Sequence, residues 1–174
     1  MKKLILLLSM VLAGCSTMPP VLKNVSAVDI QLNEVRNNVA GFEGKPVRWG
    51  GTIIKVENED SASRMQILYY PLDSSARPKL DETSQGRFLI QTQKFLDPAI
   101  YKKNSKITVT GLLNGTASRR IGKKMLQMPV IDVENDYLWP EEKNPYYQPF
   151  CSGYYPSLYY GYYGFGSRFY YPCY

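Results

Sequence analysis

The residues of this chain that could do chemistry fall into a few groups. There are three cysteines, Cys15, Cys151 and Cys173, and an acidic run of Glu57, Glu59 and Asp60. A basic cluster (SRRIGKK) holds Arg119, Arg120, Lys123 and Lys124, and a carboxylate pair stands at Glu141-Glu142. Histidine is absent. That removes Ser-His-Asp and Cys-His catalysis, His-ligated zinc, and imidazole as a switch near neutral pH. Three cysteines are too few for a closed four-cysteine zinc site. The acidic run suits at most a weakly held cation and lacks EF-hand spacing. Any two carboxylates can meet in space as a glycosidase pair, but nothing in the sequence singles one out. No Gly-rich phosphate loop follows a strand, and there is no nucleophile elbow. These residues predict no enzyme, no catalytic residue, no metal and no cofactor. The formal net charge of +6 includes Lys2 and Lys3 at the extreme N-terminus, and so mild an excess calls for no nucleic-acid partner.

The cysteine with the most informative surroundings is Cys15. Lys2-Lys3 is a basic start, Leu4–Leu12 is an apolar run broken only by Ser9, and the small pair Ala13-Gly14 precedes the cysteine. These are the three parts of a secretory signal peptide, too short to span a bilayer as a mature anchor. The ending Leu12-Ala13-Gly14-Cys15 resembles the bacterial lipobox. That resemblance implies cleavage between Gly14 and Cys15, a diacylglyceryl thioether on Cys15, and acylation (palmitate among the chains) of the new amino group. Cys15 is then an attachment point, and its covalent lipid takes the place of any cofactor. The alternative is an ordinary signal peptide with a coincidental cysteine. Ser16 follows, and in enteric-type sorting a serine there implies export to the outer membrane by the lipoprotein processing and sorting machinery. Residues 15–25 read as the acylated cysteine and a tether, kept extended by Pro19-Pro20.

A length of 174 residues suits one domain with an appendage. The domain is expected over residues 26–140. Ser26 and Asp29 have the spacing of a helix cap and first-turn acid, and Val28, Leu32, Val35 and Val39 form an apolar helical stripe that Gly41 and Gly44 end. Strands follow at Val47–Glu57, Met65–Leu72, Gly86–Gln91, Lys106–Leu113 and Met125–Asn135. Gly50-Gly51 suggests a bulge or sharp bend in the first, Pro71 breaks the second, and Pro129 argues for an edge or bulge in the last. Ile107, Val109 and Gly111 share a face of the fourth. Asp73–Gln85 reads as loop, and Pro98–Lys103 as one helical turn capped by Asp97. The pattern predicts a mainly β fold: a small five-stranded OB-like Greek-key barrel with a short N-terminal helix, which caps one end or lies outside. A plain antiparallel sandwich or meander is the alternative. Trp49 reads as core in preference to a ligand platform, and Arg77 and Arg87 as solvated loop charges.

The segments Gly44–Gly51 (GKPVRWGG), Tyr70–Asp73 (YPLD), Gly86–Phe88 (GRF), Phe95–Pro98 (FLDP) and Tyr137–Pro140 (YLWP) resemble the Slp family of starvation-inducible outer-membrane lipoproteins. The resemblance runs from Cys15 to Pro140. It implies an acylated protein of the bacterial outer membrane, associated with starvation, stationary phase or stress, and no established reaction. In that setting Arg119, Arg120, Lys123 and Lys124 have two readings. They are either solvated surface charge or contacts to lipid headgroups or lipopolysaccharide phosphates.

Residues 141–174 form a Tyr/Gly/Pro-rich tail with most of the fifteen tyrosines, and beyond Asn144 its one charge is Arg168. No helical or strand period runs through it. It reads as a low-complexity tail, as an interaction surface for an envelope protein or glycan, or as an extra hairpin. Cys151 and Cys173 are the remaining cysteines, and in an oxidising compartment they are candidates for a disulfide that stabilises by about 3 kcal/mol. The sequence thus leaves two functions open: a structural or interaction lipoprotein, and a periplasmic or surface binding module for envelope glycan or lipopolysaccharide.

Overall fold

The computed structural model describes residues 18–23 and 30–141. By its contacts the chain divides after Glu141. Gly14, Cys15, Ser16, Ser26, Val28, Asp29, Cys151, Cys173 and the tyrosine-rich tail lie outside the described residues.

Five strands make the body: β1 (Pro46–Asn58), β2 (Ser63–Tyr70), β3 (Gly86–Thr92), β4 (Lys106–Ile121) and β5 (Lys124–Leu138). They close into a barrel in the order β1-β2-β3-β5-β4. All neighbours are antiparallel except β3 and β5, which run parallel through Leu89↔Val130, Ile90↔Ile131 and Gln91↔Asp132. This order and closure are those of the expected OB-like barrel, and they exclude the sandwich or meander.

The alternation of β2 shows why it closes. Ser63, Met65, Ile67 and Tyr69 are buried and the residues between them are half-buried, the period-2 signature of a strand with one face on the core. β1 pairs with β4 over Pro46–Thr52 and with β2 over Gly50–Asn58. Gly50–Thr52 is therefore paired along both edges. A Cβ at Gly51 would run into the Leu68 carbonyl, so glycine is needed for close approach of two backbones. The register stays continuous through Gly50-Gly51. The extra residue of β1 comes later, at Ile54, between the pairs Ile53↔Ile67 and Lys55↔Gln66. The expected bulge is thus displaced by a few residues.

Two expectations about length also change. β4 and β5 continue past the barrel wall as a two-stranded arm, pairing from Thr116↔Pro129 to Ile121↔Lys124. The two-residue turn Gly122-Lys123 joins them, with Gly122 at φ 60°, as a hairpin whose turn begins on glycine requires. Pro129 is at the root of the arm, opposite an extra residue in β4 between Leu113 and Thr116, so the bulge reading of that proline holds. The N-terminal helix is shorter than its apolar stripe suggested. Gln31 is extended (φ −79°, ψ 151°), and the helix runs Leu32–Asn37 before a 3-10 turn at Val39–Phe42. The segment read as an extended tether is also folded: Pro20–Lys23 is one helical turn, α1, so the Leu32–Asn37 helix is α2. Asp97 caps a single hydrogen-bonded turn, accepting from Ala99 N–H at 2.8 Å, but no regular helix follows.

The core fills the barrel. Trp49, Tyr69 and Phe88 meet edge to face with ring centroids 5.3–6.3 Å apart. Leu32 and Val35 of α2 join the same cluster, as does Leu96 from the β3–β4 connection. The helix therefore caps an end of the barrel. Trp49 Nε1 donates to the Ile30 carbonyl at 2.7 Å, and Tyr69 Oη donates to Gln31 Oε1 at 2.9 Å, so both polar tips find partners in the segment leading into the cap.

Candidate functional site

With the interior filled, any site must be on the outer wall. β2 and β3 alternate, so Arg64, Gln66 and Leu68 point outward beside Arg87, Leu89 and Gln91. The β4–β5 arm lies along this wall. Leu89, Met128 and Val130 form a second apolar cluster with Ala117 and Ile121 packed on it, and Gln66 Nε2 donates to Met128 Sδ at 3.5 Å. Between arm and wall runs a cleft of about 310 Å³ lined by Arg64, Leu89, Gln91, Asn114, Ser118 and Arg119, among others. Its chemistry is two guanidinium groups, several neutral hydrogen-bonding side chains and one aliphatic strip.

The two arginines are held by carboxylates. Arg64 Nη1 is 2.7 Å from Glu59 and its Nε donates to Gln91 Oε1 at 3.2 Å. Arg119 Nη2 is 3.9 Å from Glu57. Glu57 also accepts from Lys55 Nζ at 2.7 Å. That hydrogen bond, against opposing desolvation and with the charges of Lys55, Arg119 and Arg64, holds the Glu57 carboxyl below its ordinary range. In the acidic run, Glu57 and Glu59 thus face cations of their own chain. Among the described residues no three His, Cys, Asp or Glu side chains gather where a metal ion could sit.

The basic cluster proves to be a hairpin tip and not a loop. Arg119 pairs with Leu126 and Ile121 with Lys124, so Arg119 and Lys124 share the face turned to the wall. Arg120 pairs with Met125 and belongs to the opposite face, while Lys123 is in the turn. The structure thus brings together only two of the four cations. It adds Arg64, which lies just before the strand expected at Met65–Leu72 and stands on the outer face of β2, opposite Gln91. Arg77 is also not a solvated loop charge: its guanidinium lies 5.2 Å over the Trp139 ring. Trp139 Nε1 donates to Thr108 Oγ1 at 2.9 Å, so the YLWP segment closes over the buried threonine of β4. No helix among the described residues is long and apolar enough to cross a membrane.

Comparison with known proteins places these features. The chain matches the outer membrane lipoprotein Slp family over residues 12–166. It belongs to the Slp family. It is 33% identical over 132 residues to the uncharacterized lipoprotein YeaY of Escherichia coli (strain K12), spanning 75% of this chain and 68% of that one. It is also 33% identical over 138 residues to the outer membrane protein Slp of the same organism, spanning 78% and 73%. As a member of the Slp family the chain is a lipoprotein of the bacterial outer membrane. The family match begins at Leu12 and reaches Gly166, well into the tyrosine-rich tail and beyond the 15–140 span that carried the resemblance. Among solved structures, a small single-stranded DNA-binding protein from Streptomyces coelicolor aligns at TM-score 0.36 and 10% identity, over 55% of this chain and 94% of that one. The N-terminal domain of PriB from Thermoanaerobacter tencongensis aligns at TM-score 0.32 and 14% identity, over 55% and 97%. At such scores the OB-like assignment rests on the strand order itself.

Proposed function

We propose that this Slp-family protein is a non-catalytic interaction lipoprotein, anchored by lipid on Cys15 and presenting its barrel wall and arm to other envelope components. Maturation runs by cleavage between Gly14 and Cys15, acylation of Cys15 including palmitate, and sorting on Ser16 to the outer membrane by the lipoprotein machinery. The role belongs to starvation, stationary phase or stress, as the family resemblance implies. The tyrosine-rich tail, with Cys151 and Cys173 as a candidate disulfide, supplies a second contact surface for an envelope protein or glycan. Nucleic acid is not a partner.

One observation carries the interaction reading: the barrel interior is filled by Trp49, Tyr69 and Phe88, so polar chemistry falls on the outer surface, the cleft beneath the arm included. The test is crosslinking in living cells with mass spectrometry, using the full chain, a chain ending at Asn144, and a Cys15→Ala form. Defined partners that depend on wall or tail are expected, with Cys15→Ala losing palmitate label and leaving the outer-membrane fraction. Retained label and unchanged fractionation would sink the anchoring; an empty partner set would sink the adaptor role. An immunoblot through the growth curve tests the stress link, which fails if abundance is flat.

A second reading is favoured by Arg119 and Lys124 sharing the face toward the cleft. There the wall is a binding module for lipopolysaccharide phosphates or envelope glycan. Cosedimentation with sacculi and binding to lipopolysaccharide are expected to fall in an Arg119→Ala, Lys124→Ala variant. Binding that is absent at low salt excludes it.

A further inference from the structure

The N-terminal segment is fastened to the barrel close to the place where the lipid is attached. Pro19 and Leu22 are buried, Leu22 completely. Arg48 on β1 donates from Nη1 to the Leu22 carbonyl at 3.0 Å and to Met18 Sδ at 3.3 Å. α1 lies against β5. Only Ser16 and Thr17 stand between Met18 and Cys15. Three peptide steps reach about 11 Å at most. A chain this short, ending on a docked strap, leaves the barrel no room to swing away from the leaflet that holds its lipid.

We propose that the barrel lies directly on the phospholipid leaflet, with the wall around Met18–Lys23 and Arg48 turned to the headgroups. This rests on the proposed acylation of Cys15. The composition of the wall fits. Val21 is 39% exposed and Leu112 is 40% exposed. Leu112 shares its face with Arg48, because Arg48 pairs with Thr110 and Pro46 with Leu112 in one unbroken register. Lys23, the last residue of α1, is exposed. The carboxylate beside Leu112 is that of its pair partner Asp132, which accepts from Asn114 Nδ2 at 2.7 Å. The exposed aliphatic side chains and Lys23 suit the boundary between headgroups and acyl chains. A densely phosphorylated lipopolysaccharide surface would instead call for a cluster of cations, and the cluster of this protein is elsewhere, on the arm.

The test uses the acylated full chain in phosphatidylethanolamine/phosphatidylglycerol vesicles that carry a headgroup-nitroxide lipid. In a Cys151→Ser, Cys173→Ser background, a fluorophore is attached through Leu112→Cys or Ser61→Cys. Ser61 follows the far end of β1, in the turn to β2. Intact mass confirms the lipid on each sample. Quenching at 112 is expected to exceed that at 61 by about threefold or more. Inserting about ten Gly/Ser residues after Ser16, ahead of the strap contacts of Met18 and Leu22, is expected to at least halve that difference. Equal quenching at both positions in lipidated protein overturns the proposal, as does an inserted linker that changes nothing. A chain whose mass shows no lipid fails on acylation instead, and removes the proposal with its premise.

Discussion

Gly51 and Tyr101 show how single atoms govern this barrel. A methyl group at Gly51 meets the backbone of β2, which cannot give way as a flexible side chain would. Gly51→Ala is expected to cost about 3 kcal/mol or more, read as a lowered urea midpoint. A cost below about 1 kcal/mol would mean that β1 and β2 separate easily there. Tyr101 donates its hydroxyl to Asp136 Oδ2 at 2.8 Å. Burial first, then this hydrogen bond and the charge of Asp136, push its phenol from 10.0 to about 12. The fold favours the neutral phenol, and the unfolded chain releases that proton at lower pH. Its contribution is therefore complete below pH 10 and is lost as pH rises towards 12. Tyr101→Phe should flatten that part of the stability–pH profile relative to the parent; an unchanged slope from pH 10 to 12 counts against the assignment.

At the scale of elements, the arm and the strap are accessories with definite packing. The arm buries Met128 against Leu89 and Val130 but contributes nothing to the Trp49–Tyr69–Phe88 centre. Replacing residues 117–128 by a short turn is expected to leave the barrel closed, with Trp49 fluorescence unchanged. The expected loss of stability is about 2–3 kcal/mol, from the uncovered aliphatic strip. Failure to fold would show that the arm belongs to the core. The strap is held by one fully buried leucine and two hydrogen bonds from Arg48. Leu22→Ala is expected to destabilise by about 2–4 kcal/mol. Proteolysis at the N-terminal segment should then speed up before the barrel is attacked, and an unaltered cleavage pattern would argue against docking.

For the whole molecule, closure is the decisive feature. The first strand must find both its sequence neighbour β2 and the distant β4, so the core forms only when a long loop has closed. Such non-local pairing folds in milliseconds to seconds and melts as one unit. Trp49 fluorescence and far-UV ellipticity are expected to give coincident urea transitions. Separate midpoints would show that the arm or the α2 cap unfolds on its own.

Much of this was legible from residues alone. Alternation located all five strands, though the fourth ran on from Leu113 to Ile121; Pro71 and Pro129 marked a real end and a real bulge, and the large aromatic Trp49 went to the core as its area demands. The VRWGG and FLDP segments already pointed to the Slp family. Local patterns sufficed there because burial repeats with the period of the strand. Tertiary structure alone decided the rest. Whether Pro19–Lys23 is tether or strap depends on a pocket beside Arg48, far along the chain. Whether four cations make one patch depends on the register across a turn, which pairs Ile121 with Lys124 and so puts Lys124 on the face of Arg119. Whether Glu57 binds a cation or an arginine depends on where the arm comes to lie. For the strap and for Arg119 beside Glu57 the deciding partner is remote in sequence, and only the closed barrel brings it near.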